Sequence, residues 1–84
     1  MITDRELEVL EYVAAGHTNR YIGWALNISH QTVKNHMTSI MDQLCVLSRT
    51  GAAIVALKIG LLDLSNIDVA HAWSEEGYED SVAI

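Results

Sequence analysis

TNRYIGWALNISHQTVKNHM, residues 18 to 37, decides how this chain folds, because it reads as two short helices joined by a tight turn. Thr18 is a good N-cap for the first helix, and Ile22 and Leu26, four residues apart, fall on one face of it. Gly23 between them is small enough for a second helix to cross close by. Asn27 tolerates the left-handed conformation of a helix exit, Ile28 plugs the corner, and Ser29 offers a hydroxyl to cap the next helix. In that second helix Val33, Met37, Ile40, Met41 and Leu44 share one side, while Gln31, Lys34, Asn35, Thr38 and Asp42 share the other. An apolar back and a polar front result.

Working outward, a preceding helix is expected to open at Thr3, with Glu6 closing a capping box and Asp4 placing favourable charge at the positive helix end. Leu7, Leu10, Val13 and Ala14 form its expected buried stripe, its acids are read as a solvated outer face, and Gly16 ends it near Ala15. Downstream, Ser48 caps a fourth helix running through Ile59 and closed by Gly60. That helix is apolar nearly all round, which exceeds what one core-facing stripe needs and implies a second contact. With no Pro, few Gly and few alternating β-branched runs, the chain is predicted to be all-α, a four-helix domain over residues 1–62. Residues 63–84 form an acidic C-terminal extension, in which Ser65 or Asn66 caps a short helix through Ala72 and the remainder is frayed or disordered.

These residues resemble a family, the LuxR/NarL/GerE type of bacterial helix-turn-helix transcription regulator. Thr3, Arg5, Glu6, Val9 and Leu10 stand where that family has LTxREREVL, Gly16 and Asn19-Arg20 where it has GxSNK, and Ile22 where it has EIA. Leu26, Ile28 and Ser29 match its LxIS, and Thr32-Val33-Lys34-Asn35-His36 repeats TVKNH letter for letter. Val46, Arg49, Ala52, Ala56 and Gly60 match the pattern that closes the motif. The resemblance covers residues 3 to 61 and implies a DNA-binding regulator, either a stand-alone form of the GerE kind or an output domain. It also implies that the fourth helix forms a homodimer interface, for which Ala52, Ala53, Val55, Ala56 and Ile59 are the candidates. The chain departs from the family where it has Tyr21 for Glu, Gly23 for Ala, Trp24 for Arg or Lys, and Gln43 for Lys.

Charge opposes that reading until its distribution is considered. The net charge is −6 and the sequence pI near 4.9, the wrong sign for a polyanion's partner. Through Gly60, however, five basic residues balance five acids, and the six acids from Asp63 onward carry the whole net charge. Local sign governs phosphate contact, since screening at physiological salt acts over about 8 Å. On the outward face of the second central helix, Lys34 can donate to guanine, Asn35 and Gln31 can pair with an adenine edge, and Thr38 can offer hydroxyl or methyl. The resemblance places base contacts at Lys34, Asn35 and Thr38 as well. Thr32, Arg20 and Arg49 are the candidates for phosphate contact, fixing register without reading sequence. The acidic end is read as a solubilising tail or, alternatively, as a segment that occludes the basic face.

Other chemistries find little support. No nucleophile with a positioned base, Gly-rich phosphate loop or paired carboxylates in a cleft can be recognised, so no enzyme and no cofactor are expected. His17, His30, His36 and His71 lack zinc-site spacing, so no metal is expected, and His36 is read as turned partly toward the core. Cys45, the single cysteine, is expected to be a buried structural thiol in a reducing compartment. Lys58 and Asp63 interrupt the most apolar stretch, so no membrane span is expected and the chain is read as cytoplasmic, acting at the bacterial nucleoid. Tyr21 and Trp24 form an aromatic pair on a helix flank, either a partly covered patch or a docking site for protein. The rival to DNA reading is therefore an interaction protein that pairs with a related regulator and blocks it.

Overall fold

Four hydroxyls open four helices. In the computed structural model, which describes residues 1–67, Thr3, Thr18, Ser29 and Ser48 are the N-caps of α1 (Asp4–Ala14), α2 (Asn19–Leu26), α3 (His30–Leu44) and α4 (Arg49–Lys58). Each cap oxygen accepts a backbone N–H from the first turn, at 3.1 Å from Glu6, 3.1 Å from Tyr21, 3.0 Å from Thr32 and 2.9 Å from Gly51. These bonds satisfy donors that a helix start otherwise leaves unpaired. The exits obey the same local chemistry. Asn27 and Gly16 take positive φ, of 59° and 98°, where the chain must turn sharply out of α2 and α1. No strand occurs among the described residues.

Helix α3 is held from behind on several sides, with α1, α2 and α4 all packed against it and α1 packed against α4. Its back places Val33, Met37 and Ile40 in the core with Met41 and Leu44 half-buried, as the pattern predicts. Facing them are Val9, Leu10 and Val13 of α1, Ile22 of α2, and the small residues Ala52, Ala53 and Ala56 of α4. Gly23 lets the α2–α3 turn come close, since a Cβ there would lie 2.8 Å from the carbonyl oxygen of Ile28. The crossing element is the turn itself.

Several expectations need correction. The stripe of α1 is rotated by part of a turn, so Val9 is fully buried while Leu7 and Ala14 are only half-buried. Glu6, read as part of a solvated acidic face, is buried. Cys45 is exposed, because it is the C-cap of α3 in a left-handed conformation with φ of 57°, and the chain leaves the core there despite apolar neighbours in sequence. Downstream, Leu62 packs into the core, and a single 3₁₀ turn (Leu64–Asn66) is capped by Asp63, whose carboxylate accepts from the backbone and hydroxyl of Ser65 at 3.0 and 2.8 Å. The expected helix as far as Ala72, His71 and the acids from Asp68 onward lie outside the described residues.

Glu6 joins two helices and gives the fold a pH dependence. Its Oε1 accepts the Thr3 backbone N–H at 2.9 Å and the Gln43 amide of α3 at 3.2 Å. Burial pushes the carboxyl upward, but donors from Thr3, Ser39 and Gln43 together hold it below the ordinary glutamate value. A carboxyl depressed in the folded state stabilises the domain above its unfolded pKa and loses that contribution as pH falls through the folded value. Thermal melts from about pH 5 to about pH 3 should therefore show a steeper decline for the natural chain than for Glu6→Gln. Parallel declines would mean that Glu6 makes no such contribution.

Candidate nucleic-acid interface

Burying one side of α3 leaves its opposite side open to solvent, and that side carries Gln31, Lys34, Asn35, Thr38 and Asp42, all exposed. Side-chain hydrogen bonds order the polar row. Gln31 Nε2 donates to Asn35 Oδ1 at 3.1 Å, which uses one lone pair of that oxygen and leaves the other, together with the Asn35 amide hydrogens, for a base edge. Thr38 donates its hydroxyl to the Lys34 carbonyl at 3.1 Å, so what it presents outward is its methyl and its oxygen lone pairs. Lys34 is exposed one turn before Thr38 and supplies the only full positive charge in the row.

The three candidate phosphate residues separate. Arg20 is exposed on α2. Thr32 is half-buried at the start of α3, with its hydroxyl 2.8 Å from that of Ser29. Arg49 points inward, donating from Nη1 to Asn19 Oδ1 at 2.6 Å and from Nη2 to the carbonyl of His17 at 2.7 Å. Burial lowers its pKa from the ordinary arginine value, from a starting point high enough that the guanidinium stays charged. Lys34, Thr38 and Arg49 nevertheless come together along an open groove of about 290 Å³, beside Asn19, Met37, Met41, Leu47 and Ser48. Asn19 was not singled out as a site residue, although its place directly after the Thr18 cap puts its side chain at the mouth of α2.

Between α1 and α2 the aromatic pair extends into a row. The rings of His17 and Tyr21 stack at 4.0 Å, Tyr12 meets both edge-on at 5.7 and 6.1 Å, and Trp24 lies 5.7 Å from Tyr21 while remaining 76% exposed. The inner rings are anchored and the outermost is open, where the resembling family carries a cation. Gln43, at another such position, is spent on Glu6 and on the Ser39 hydroxyl at 3.0 Å.

On α4, Ala52, Ala53 and Ala56 are buried in the core of the single chain. Their methyls are the short side chains that let α4 sit against α1 and α3. The apolar side chains that α4 leaves outside are Ile54 and Ile59, with Val55 and Leu57 half-buried. No single helix among the described residues is long and apolar enough to cross a membrane.

Comparison with known proteins agrees with this geometry. Residues 1–56 match the family described as bacterial regulatory proteins, luxR family (GerE). The transcriptional regulatory protein DegU of Brevibacillus brevis is 45% identical over 60 residues, covering 71% of this chain and 25% of that protein. LiaR of Bacillus subtilis is 49% identical over 55 residues, 66% of this chain and 26% of LiaR. The response regulator VraR of Staphylococcus aureus is 40% identical over 62 residues, 74% of this chain and 30% of VraR. The chain thus spans between a quarter and a third of the length of these relatives.

Proposed function

Because this chain belongs to the luxR family of bacterial regulatory proteins, as a helix-turn-helix DNA-binding domain, we propose that it reads one sequence in double-stranded DNA as a cytoplasmic, homodimeric transcription regulator. One observation carries the reading. Lys34 and Asn35 stand adjacent and exposed on a helix whose back is sealed into the core, and the Gln31 bond to Asn35 leaves its amide hydrogens and the Lys34 ammonium turned to solvent. A helix so presented fits the major groove, where an amide matches adenine and a lysine matches guanine. Gln31 and Thr38, exposed on the same row, are the further candidates for base contact, and Arg20 and Thr32 are the candidates for phosphates.

The surplus apolar surface of α4 supports pairing of two copies through Val55 and Ile59, joined by Ile54. Two-fold symmetry would then set two half-sites about one helical turn apart. Few cations face the DNA, so affinity should be modest and its salt dependence shallow, at about 0.9 in log–log slope per phosphate neutralised.

Selection from random duplexes at low salt tests the reading. The expected result is an enriched palindrome, with Lys34→Ala costing about 1 to 3 kcal/mol per half-site and the enrichment disappearing. Two specific observations, the open Trp24 on α2 and the apolar side chains that α4 leaves outside, favour a second reading as a partner that pairs with and blocks a related regulator. Absence of any enriched sequence, together with tight pairing to such a regulator, would replace the first reading by the second.

A further inference from the structure

We propose that Arg49 is a positioning residue for DNA reading, a clasp that holds the mouth of α2 against the start of α4 beside the reading helix, and that it does not anchor a phosphate. The inference rests on the DNA-binding reading above and assigns one of its residues a different task.

The geometry is that of a two-pronged clamp. Arg49 is the first residue of α4, and its two terminal nitrogens reach separate acceptors on either side of the buried Thr18 cap, the carbonyl of His17 and the side-chain oxygen of Asn19. Both bonds are short and charge-assisted, and the guanidinium is half-buried, where such bonds are stronger than in open water. A lysine keeps the charge but cannot span two acceptors with a rigid fork. Asn19 and Arg49 line the same groove as Lys34 and Thr38, so the clasp fixes the wall of α3's flank against which those two side chains are set. Reading bases demands placement to within about 0.5 Å, which a scaffold supplies only when its supporting contacts are themselves locked.

Two tasks for Arg49 leave different signatures. A phosphate anchor contributes equally to operator and random DNA, survives replacement by lysine, and adds one phosphate's share to the salt slope. A clasp contributes to the difference between operator and random DNA, fails with lysine, and is shared with Asn19, which carries no charge.

The experiment compares the full chain with Arg49→Lys, Arg49→Ala, Asn19→Ala and the double variant Arg49→Lys with Asn19→Ala, below the melting temperature of each, on a selected operator duplex and on a random duplex over a series of KCl concentrations. Each single variant should lower the operator-to-random preference about tenfold, the size expected for losing one charge-assisted hydrogen bond, and the double variant should lower it little further. Affinity for random DNA and the salt slope should match the natural chain. Lysine at 49 with full preference, or Arg49→Ala flattening the slope by about 0.9 per subunit, would overturn the clasp in favour of an anchor. A second measurement needs no DNA: backbone amide shifts of residues 34 to 38 in the free protein should move in Arg49→Lys and Asn19→Ala, and unmoved shifts overturn the proposal. A natural chain with no operator preference would instead defeat the DNA-binding reading, while the amide shifts still decide whether the clasp positions α3.

Discussion

Gly23→Val should melt about 12 to 24 °C below the natural chain, while Gly23→Ala should cost clearly less. The difference lies in what surrounds the glycine. A Cβ built there falls 2.8 Å from the Ile28 carbonyl oxygen, 3.4 Å from the His30 nitrogen and 3.5 Å from its Cα, all backbone atoms that no rotamer change can move aside. The Gly23 carbonyl also accepts the Ile28 N–H at 2.9 Å, so the turn is tied to the helix at the place where a side chain would push it off. Even one methyl at 2.8 Å from that oxygen forces the turn's backbone to move. The helix propensity gained on replacing glycine, about 1 kcal/mol, offsets part of the cost of that shift. Valine adds two methyls and β-branching on the same vector, and overpacking of that kind costs about 3 kcal/mol or more. For a domain of this size that corresponds to a fall in melting temperature of about 12 to 24 °C. Far-UV circular dichroism during heating reads both variants. A valine variant melting within a few degrees of the natural chain would show that α2 and the turn are not in the close contact described.

What the sequence made legible here was chiefly local. The capping hydroxyls at Thr3, Thr18, Ser29 and Ser48, and the left-handed exit at Asn27, depend on residues within one turn of each other, and all are as expected. The two faces of α3 were legible as well, because fifteen residues give the helical period room to declare itself. What pattern could not supply was the rotation of α1, whose apolar residues are compatible with more than one buried stripe, so Val9 is absent from the expected stripe and Glu6 is read as solvated. Nor could it anticipate Cys45, where a reversal of backbone handedness sends a residue flanked by Leu44 and Val46 into solvent. On the candidate interface, the exposed row Gln31, Lys34, Asn35 and Thr38 followed from period alone. The inward turn of Arg49 depends on acceptors at His17 and Asn19, more than thirty residues from it in one case and thirty in the other, and contacts at that separation leave no periodic signal.

The rotation of α1 yields the second large effect, a pair of leucines that look alike in sequence and should behave differently. Leu10 is fully enclosed, within the core that α1 shares with α3 and α4, whereas Leu7 lies at the edge with part of its side chain in water. Leu10→Ala removes three buried heavy atoms and leaves a cavity lined by neighbours on several helices, which costs about 3 kcal/mol. Leu7→Ala loses only part of a transfer free energy and opens no sealed cavity, so about 1 kcal/mol is expected. Small domains have total stabilities near the lower end of the usual range, about 5 kcal/mol, so Leu10→Ala should unfold over a transition about 12 to 24 °C lower and Leu7→Ala about 4 to 8 °C lower. DNA binding should decline only with the folded fraction, because α1 packs behind the reading helix and carries no part of its exposed face. Measured well below the lowered transition, the Leu10→Ala salt slope should therefore match that of the natural chain. Equal destabilisation at the two positions would place α1 on the stripe that its leucines suggest and not on the one that buries Val9, and the platform behind Lys34 and Asn35 would have to be rebuilt around that rotation.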